Sequence, residues 1–131
     1  VELFVLDDTT VLVNEIAPRV HNSGHLTIEG SSTSQFAQHL RAILDWPLGP
    51  TDMLAPVVVM ANVVGSGSTE PRSRQHLVFS EVPDAHVHLY GKTPRDGRKI
   101  GHVTLLGEDR ETVRVSAARA AGLLSGAVEH Q

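Results

Sequence analysis

The sequence predicts an α+β fold in which an antiparallel hairpin and a helix precede a small β-rich lobe and a closing helix. Two apolar, β-branched stretches near the amino end surround a turn-favouring tetrapeptide. Apolar residues then recur at helical spacing between positions 36 and 44. Strand-like and helix-like segments do not alternate regularly, which argues against a doubly wound parallel sheet.

The first hairpin consists of "VELFVL" and "VLVNEI", with its turn at residues 7–10. Because side chains alternate along a strand, this turn places three opposed pairs on one face. The pairs are Leu6 with Val11, Phe4 with Val13, and Glu2 with Glu15. A loop with a short strand near residues 26–28 follows the hairpin.

The first helix is expected to start after Thr33 or Ser34, either of which can cap it. It should end before Pro47, because a residue that precedes proline is disfavoured in the α region. Trp46 is assigned to the core at the end of this helix.

Residues 47–56 hold three prolines and a glycine, and they predict a boundary between a part at 1–53 and a part at 54–131. The second part opens with "PVVVMANVVG", a strand too apolar for a sheet edge, and residues 65–75 are expected to form a loop. "AHVHLYG" and "KIGHVTLLG" predict a second hairpin, and residues 111–128 predict a helix.

Composition excludes several classes of function. A net charge of −4 and a pI near 6.0 argue against a general binder of nucleic acid or anionic membranes. The absence of cysteine excludes disulfides and thiolate metal sites. No apolar stretch approaches the roughly 20 residues of a membrane span. We therefore expect a cytoplasmic piece of a longer protein, and a homodimer remains open.

The predicted hairpin register brings two carboxylates face to face. Opposed Cβ atoms lie about 5 Å apart, so two ionised groups there repel by roughly 3 kcal/mol at an effective dielectric near 20. A cation between Glu2 and Glu15 would remove this cost, and oxygen ligands favour magnesium. The alternatives are a register that differs by one residue, or two glutamates that end in solvent.

A polar cluster follows Glu15 in "NEIAPRVHNSGH". Arg19 offers a planar fork that matches carboxylate, carbonate or phosphate, and His21 and Asn22 add hydrogen-bonding groups. Taken singly, each of these residues is an ordinary turn or surface group. Together they favour an anion site beside the acids.

A second cationic group lies in the turn "GKTPRDGRK", which contains Lys92, Arg95, Arg98 and Lys99. Clustered cations on a tight turn suit a phosphate monoester, although a solvated basic turn has the same composition. His39 and His102 are assigned packing or surface positions.

Four motifs, in the same order along the chain, resemble those of the 5-(carboxyamino)imidazole ribonucleotide synthetase (PurK) family. The members of this family are ATP-grasp ligases. The motifs are "NEIAPRVHNSGHLTIEG" continuing through "SQFAQHLRAILDWPLG", then "VVMANVVG", "HVHLYGK" and "GRKIGHVTLLG". The resemblance covers nearly everything except residues 65–84 and about the last twenty. It implies that residues 1–53 are the carboxyl-terminal part of an ATP-grasp domain and that residues 54–131 form a small substrate-binding lobe.

The resemblance also implies a reaction, in which ATP and bicarbonate form carboxyphosphate and carbon dioxide is captured by 5-aminoimidazole ribonucleotide. It assigns magnesium to Glu2 and Glu15, and ATP to Asn14 and Glu15. Residues at the bicarbonate and imidazole, expected to be catalytic, are Arg19, His21 and Asn22. Those that hold the ribonucleotide phosphate are Lys92, Arg98 and Lys99.

The chain departs from the family pattern in two respects. Ala17 stands where related carboxylases carry an asparagine, so the metal site must depend on Glu2 and Glu15. The amino-terminal lobes with the phosphate loop are expected upstream of Val1, and without them the chain should be inactive. The alternatives are a relative of formate-dependent glycinamide ribonucleotide transformylase, or a non-catalytic fragment that binds a phosphorylated metabolite.

Overall fold

The computed structural model describes residues 1–7, 9–67 and 69–128. Asp8 of the predicted first turn and Ser68 of the predicted loop lie outside these ranges. The described residues contain five β-strands in two antiparallel sheets, four α-helices and two short 3₁₀ helices. The predicted α+β class is therefore confirmed. No helix among these residues is both long enough and apolar enough to cross a membrane.

The first sheet is the predicted hairpin of β1 (Glu2–Val5) and β2 (Val11–Glu15). Asp7 closes the turn, since its Oδ1 accepts hydrogen bonds from the backbone N–H groups of Thr9 and Thr10 at 2.9 and 2.6 Å. These bonds favour the charged carboxylate and lower the pKa of Asp7.

The hairpin register differs from the prediction over most of its length. Val5 pairs with Val11 and Leu3 pairs with Val13, so the predicted partners of Leu6 and Phe4 were wrong by one residue. A bulge then makes Asn14 the extra residue on β2, and the ladder resumes with Glu2 opposite Glu15. The acidic pair is therefore present, although the register that predicted it is not.

A 3₁₀ helix at Asn22–Gly24 and the short α1 (Thr27–Gly30) follow the hairpin. The strand predicted at residues 26–28 was wrong, because this segment forms α1. It packs closely against the second sheet, where a Cβ at Gly30 would lie 2.6 Å from Cγ1 of Val58.

The helix α2 (Gln35–Ile43) begins as predicted, with the Ser34 hydroxyl accepting a hydrogen bond from the Ala37 N–H at 3.2 Å. Trp46 is 61% exposed, so its assignment to the core was wrong. The exposed residues around it continue the apolar side of α2, namely Leu40, Ile43, Leu44 and Leu48.

The second sheet has the order β3–β5–β4, with β3 (Val57–Val64), β4 (His86–Leu89) and β5 (Lys99–Gly107) all antiparallel. The second hairpin is confirmed. The prediction that the first strand of this part is too apolar for an edge was wrong, since β3 pairs only with β5 in the described sheet.

A helical segment interrupts the region predicted to be a loop. A 3₁₀ helix at Pro71–Arg74 leads directly into α3 (Gln75–Glu81), which the sequence did not predict. The closing helix α4 (Arg110–Ser125) is confirmed, capped by Asp109 and ended by Gly126 at φ 76°.

The hydrophobic core lies between the second sheet and the helices α3 and α4. Its largest buried apolar side chains come from β5 and α4, namely Ile100, Val103, Leu123 and Leu124, with Val63 of β3 and Val78 of α3. The opposite face of the sheet, which we call the polar face, carries a polar group beside the apolar Val58 and Met60, and it meets the segment that contains α1. The polar group consists of Asn62, His88, His102 and Thr104. This polar face joins the second part of the chain to the loop after β2.

Candidate functional site

Three potential metal ligands converge at the open end of the first hairpin. One carboxylate oxygen each from Glu2 and Glu15 and one ring nitrogen of His21 lie within 4.8 Å of one another. The strand pair supplies the two acids, and the loop after β2 returns His21 to them. The two carboxylates therefore face the same side of the hairpin.

Hydrogen bonds orient both acids. Nδ2 of Asn14 donates to Oε2 of Glu2 at 2.7 Å, and Nε2 of His21 lies 2.8 Å from Oε1 of Glu15. Nδ1 of His21 accepts a bond from the Ser23 backbone N–H at 3.3 Å, which places the ring proton on Nε2. His21 thus donates to Glu15 and fixes its direction.

This donor set suits a hard divalent cation. Magnesium prefers oxygen ligands and commonly takes one or two carboxylates together with phosphate oxygens and water. Glu2 and Glu15 offer such oxygens, whereas His21 is already committed to Glu15 through its N–H. The side chain of Glu15 is 53% exposed, so a phosphate group could approach a metal held there.

Arg19 lies beside the acids in a cavity of about 230 Å³. Its Nη1 donates to the backbone oxygen of Val20 at 2.9 Å, and the rest of its guanidinium group has further donors for a ligand. His21 lines the same cavity. A cation, a hydrogen-bonding ring and two acids therefore share one space.

Gln35, at the start of α2, positions His21 and was not identified from the sequence. Its Oε1 accepts from the His21 backbone N–H at 2.9 Å, and its Nε2 donates to the His21 carbonyl at 2.7 Å. The same Nε2 lies 2.7 Å from Nδ1 of His25. Gly24 permits this approach, because a Cβ there would lie 2.6 Å from Oε1 of Gln35.

Asn22 faces the second hairpin rather than the cavity at Arg19. Its Oδ1 accepts a hydrogen bond from Nζ of Lys99 at 3.2 Å, across 77 positions of sequence. The structure therefore brings together a predicted catalytic residue and a predicted phosphate ligand.

The other two predicted phosphate ligands have different partners on the turn between β4 and β5. Nζ of Lys92 lies 5.1 Å from the ring centroid of Tyr90, and the lysine borders a separate cavity of about 240 Å³. Nη1 of Arg98 donates to the carbonyl of Thr93 at 3.3 Å. Lys92, Arg98 and Lys99 therefore lie on or beside one turn, and each of them has a different partner.

A buried histidine cluster lies beneath this turn and was also missed. His102 is 1% exposed, its ring stacks on His88 with 4.6 Å between centroids, and its Nδ1 lies 2.7 Å from Oη of Tyr90. Burial, with the nearby His88 and His25, lowers the pKa of His102 to about 4. Because side chains alternate along a strand, His86 and His88 share one sheet face, but this spacing does not indicate that His88 meets His102 of β5.

One hydrogen-bonded pair of side chains connects the polar face of the sheet to the segment after β2. Nε2 of His88 lies 2.6 Å from Oε1 of Glu29, whose side chain is only 14% exposed. This pair joins α1 to β4. The acidic site and the cationic turn are therefore held on a common support.

Comparison with known proteins identifies the same two regions. The family model described as phosphoribosylaminoimidazole carboxylase C-terminal domain matches residues 58–116, and the ATP-grasp domain model matches residues 1–36. An N5-carboxyaminoimidazole ribonucleotide synthase of Mycobacterium bovis is 54% identical over 128 residues, which are 95% of this chain and 30% of that protein.

Solved structures are similar over the same length. The phosphoribosylaminoimidazole carboxylase ATPase subunit from Aquifex aeolicus is 40% identical with a TM-score of 0.77, covering 93% of this chain and 36% of that one. An N5-carboxyaminoimidazole synthase from Aspergillus clavatus, in complex with ADP and 5-aminoimidazole ribonucleotide, is 34% identical with a TM-score of 0.78. The matched region includes 33% of the Aspergillus clavatus chain and 93% of this chain.

The chain thus spans about a third of the length of the relatives that it matches. The matches agree in sequence and in fold, and they include both the hairpin with the acidic pair and the sheet with the cationic turn. The chain belongs to the PurK family of ATP-grasp proteins and corresponds to their carboxyl-terminal portion.

Proposed function

We propose that this chain is the acceptor-side portion of an ATP- and bicarbonate-dependent ligase that carboxylates 5-aminoimidazole ribonucleotide. The observation that carries the proposal is the convergence of Glu2 and Glu15 within 4.8 Å, beside His21. Relatives solved with ADP, with ATP and with 5-aminoimidazole ribonucleotide support the same substrates.

Magnesium would be held by Glu2 and Glu15, and Asn14 with Glu15 would line the ATP site. A divalent ion at this place would neutralise charge on the phosphates of ATP, and phosphoryl transfer depends mostly on positioning and such neutralisation. Asn14 contributes by holding Glu2 at 2.7 Å. His21 contributes by donating to Glu15.

Arg19, His21 and Asn22 are the proposed catalytic residues at bicarbonate and the imidazole substrate. The planar guanidinium of Arg19 can hold the two oxygens of bicarbonate, and its charge would stabilise a carboxyphosphate formed from bicarbonate and ATP. Asn22 lies on the side of the loop that faces the second hairpin, where it can contact the acceptor.

The ribonucleotide phosphate is assigned to the cationic turn. Lys92, Arg98 and Lys99 are exposed there, and three cations provide the charge that a phosphate monoester needs. Lys99 also contacts Asn22, so binding at the turn is linked to the loop that carries the proposed catalytic residues.

The division at residues 53 and 54 is proposed as the boundary between the ATP-grasp part and the small substrate lobe. The remaining lobes that such a ligase needs for the nucleotide are proposed to come from further sequence of the same protein. The chain alone would then bind a phosphorylated metabolite weakly and would not turn over.

The test is Glu15→Gln in the longer protein that contains this chain. The substitution removes a charged metal ligand with little change in shape, so ATP consumption in the presence of bicarbonate and 5-aminoimidazole ribonucleotide should fall by at least about a hundredfold. Coupled ADP release measures this rate. Glu108→Gln, at an exposed acid before α4, is the matched control and should keep its rate.

Retained turnover in Glu15→Gln would overturn the metal assignment. Replacement of bicarbonate by formate, with glycinamide ribonucleotide as acceptor, separates the carboxylating enzyme from a transformylase. Turnover only with formate would overturn the proposed reaction.

A further inference from the structure

The 3₁₀ helix that carries Asn22 is held at both of its ends by the same side chain. His21 is the residue before this helix, and His25 is the residue after it. The Gln35 amide contacts the backbone of His21 at 2.9 and 2.7 Å, and its Nε2 lies 2.7 Å from Nδ1 of His25. Gln35 therefore spans the short turn between the two histidines.

Backbone groups fix which atom of the Gln35 amide is the donor. The N–H of His21 can only donate, so the Gln35 atom that it meets at 2.9 Å is the oxygen. The His21 carbonyl can only accept, so the atom that it meets at 2.7 Å is the –NH₂ nitrogen. The amide cannot turn over without the loss of both hydrogen bonds.

This orientation of Gln35 sets the hydrogen-bonding role of His25. An amide –NH₂ group has two hydrogens and cannot accept, and the His21 carbonyl takes one of the two. The second is available to Nδ1 of His25 at 2.7 Å, so this ring nitrogen must be the acceptor. His25 is then neutral with its proton on Nε2, because an imidazolium ring has an N–H at both nitrogens.

The surroundings of His25 agree with a neutral ring. Burial lowers the pKa of His25, and nearby cationic groups, Lys99 among them, act in the same direction. A protonated His25 would place an N–H against the –NH₂ group of Gln35 and open the contact. The ionisable side chains around the ring come from the loop, from the end of β4 and from β5, namely His21, His88, Tyr90, Lys99 and His102.

The His25 ring also connects the turn to its neighbouring elements. Its centroid lies 5.1 Å from that of Phe36 on α2 and 5.3 Å from that of His102 on β5. The Tyr90 ring meets it edge-on at 6.2 Å. The backbone N–H of His25 donates to the carbonyl of Asn22 at 3.1 Å. The end of the turn is therefore held against α2 and the second sheet.

We propose that His25 is a positioning residue, whose Nδ1 accepts from Gln35 and so holds the 3₁₀ helix that presents Asn22 to the acceptor substrate. The inference rests on the proposed function, because Asn22 is one of the catalytic residues proposed there. Gln35 holds one end of the helix through the His21 backbone and the other end through the His25 ring. His25 acts through Asn22 and is not assigned a contact with the reacting atoms.

His25→Phe and His25→Asn in the longer protein that contains this chain separate the acceptor nitrogen from the ring. Phenylalanine keeps a ring and removes the acceptor, so kcat should fall about tenfold, as expected for one hydrogen bond. Asparagine supplies an amide oxygen near the position of Nδ1, so its kcat should stay within about threefold of wild type. An unchanged kcat in His25→Phe, or an equal loss in His25→Asn, would overturn the proposal.

Binding of Mg-ATP distinguishes this role from a general loosening of the loop. In His25→Phe the Gln35 amide still holds both backbone groups of His21, so calorimetry should give the wild-type affinity. A loss of affinity as large as that in Gln35→Ala would overturn the proposal. His86→Phe, at the exposed start of β4, is the matched control and should keep the wild-type kcat.

A double-mutant cycle with Asn22→Ala identifies the route of the effect. If His25 acts through Asn22, the double variant Asn22→Ala/His25→Phe should be no slower than Asn22→Ala alone. Losses that multiply would show that the histidine acts independently, and would overturn the proposal.

Nitrogen NMR of the ¹⁵N-histidine-labelled protein gives a readout that does not depend on turnover. Near neutral pH, His25 should have an unprotonated Nδ1 and a proton on Nε2. Gln35→Glu is nearly isosteric but offers acceptors alone, so it should bring a proton to Nδ1 of His25 while the resonances of His39 and His86 stay fixed. A proton on Nδ1 in wild type, or no change in Gln35→Glu, would overturn the contact.

The failure of this inference can be told apart from the failure of the proposed function. A wild-type protein inactive with ATP, bicarbonate and 5-aminoimidazole ribonucleotide would overturn the proposed function itself. An active wild type with an equally active His25→Phe overturns this inference alone.

Discussion

Single hydrogen bonds set the direction of the acidic side chains at the amino end. Without Asn14 and His21, two carboxylates held this closely would turn apart, because like charges repel at this distance. The Asn14 amide fixes Glu2, and the His21 ring fixes Glu15. Each acid therefore keeps one oxygen committed to the protein and leaves its remaining lone pairs for a cation.

The buried His102 gives the protein a defined loss of stability in acid. In the unfolded chain this imidazole takes up a proton near its ordinary pKa of 6.5, whereas in the fold it stays neutral down to about 4. The unfolded state then binds more protons, so the contribution is complete above pH 6.5 and decreases as pH falls toward 4. The loss is at most about 3 kcal/mol.

Urea unfolding at about pH 7 and at about pH 4.5 measures this effect. The difference in unfolding free energy between the two conditions should be smaller in His102→Asn than in wild type. It should not vanish, because burial also lowers the pKa of His25, and His88 and Glu29 face the same ring. His39→Asn is the control, and an equal reduction there would contradict the assignment to His102.

At the scale of elements, the helix α2 holds two loops in place, each through hydrogen bonds from a glutamine side chain to the loop backbone. Gln35 holds both backbone groups of His21, and Gln38, one turn later, holds both backbone groups of Gly49. Backbone N–H and C=O groups in an irregular segment have no partners from regular secondary structure, and each glutamine side chain supplies both a donor and an acceptor for them. The amino-terminal loop reaches the acids because one end of α2 holds it.

Gln35→Ala and Gln38→Ala should therefore both destabilise the fold but differ in function. Gln38→Ala removes two part-buried hydrogen bonds to the backbone, and Gln35→Ala removes two such bonds together with the contact to His25. Each substitution should lower the free energy of unfolding by about 1–3 kcal/mol, with the larger loss in Gln35→Ala. Only Gln35→Ala should weaken binding of the magnesium–nucleotide complex in the longer protein, because only Gln35 holds His21. Calorimetry of Mg-ATP binding compares the two variants, and an equal effect of Gln38→Ala would contradict this role.

The sequence predicted elements well where the local signal was complete. Ser34 with its apolar spacing predicted α2, and the β-branched stretches predicted both hairpins. The sequence did not predict α1, because the alternation of Leu26 and Ile28 is typical of a strand. The close packing of Gly30 against Val58, which accompanies the helix, is a contact between distant segments and has no local signal. The edge position of β3 depends on strand order, which apolar content does not specify.

The candidate site was predictable from the sequence to a similar extent. Alternation and turn length paired Glu2 with Glu15, but the bulge at Asn14 that makes the pairing possible has no simple sequence signal. The roles of Gln35, His25 and His102 depend on contacts between segments that are distant in sequence. No local pattern marks such residues, so they become visible only in the fold.

At the scale of the whole molecule, the core and the exposed apolar surface lie in different parts of the chain. All buried hydrophobic side chains of the described residues fall between Val63 and Leu124. Residues of the first hairpin and of α2 expose theirs instead, including Phe4 at 54% and Ile43 at 65%. Most of the apolar burial therefore stabilises the second part.

Hydrogen exchange of this chain should show the same division. Amides of β5 and α4 should exchange only through global unfolding, and those of β1 and β2 should exchange through local opening with a much lower free energy. Mass spectrometry of peptides after timed exchange measures both. Equal protection of the first hairpin and of β5 would contradict this expectation.

The edge position of β3 has a consequence for how the isolated chain behaves in concentrated solution. An edge strand of eight residues with an open row of amides and carbonyls can template the addition of another copy. Arg110 and Arg114 of α4 border the groove along this strand, and Arg114 forms an ion pair with Glu111 at 2.6 Å. Two copies that approach edge to edge would bring Arg110 of one near Arg110 of the other, and this like charge opposes the encounter at low ionic strength. Added salt screens the repulsion and so favours self-association.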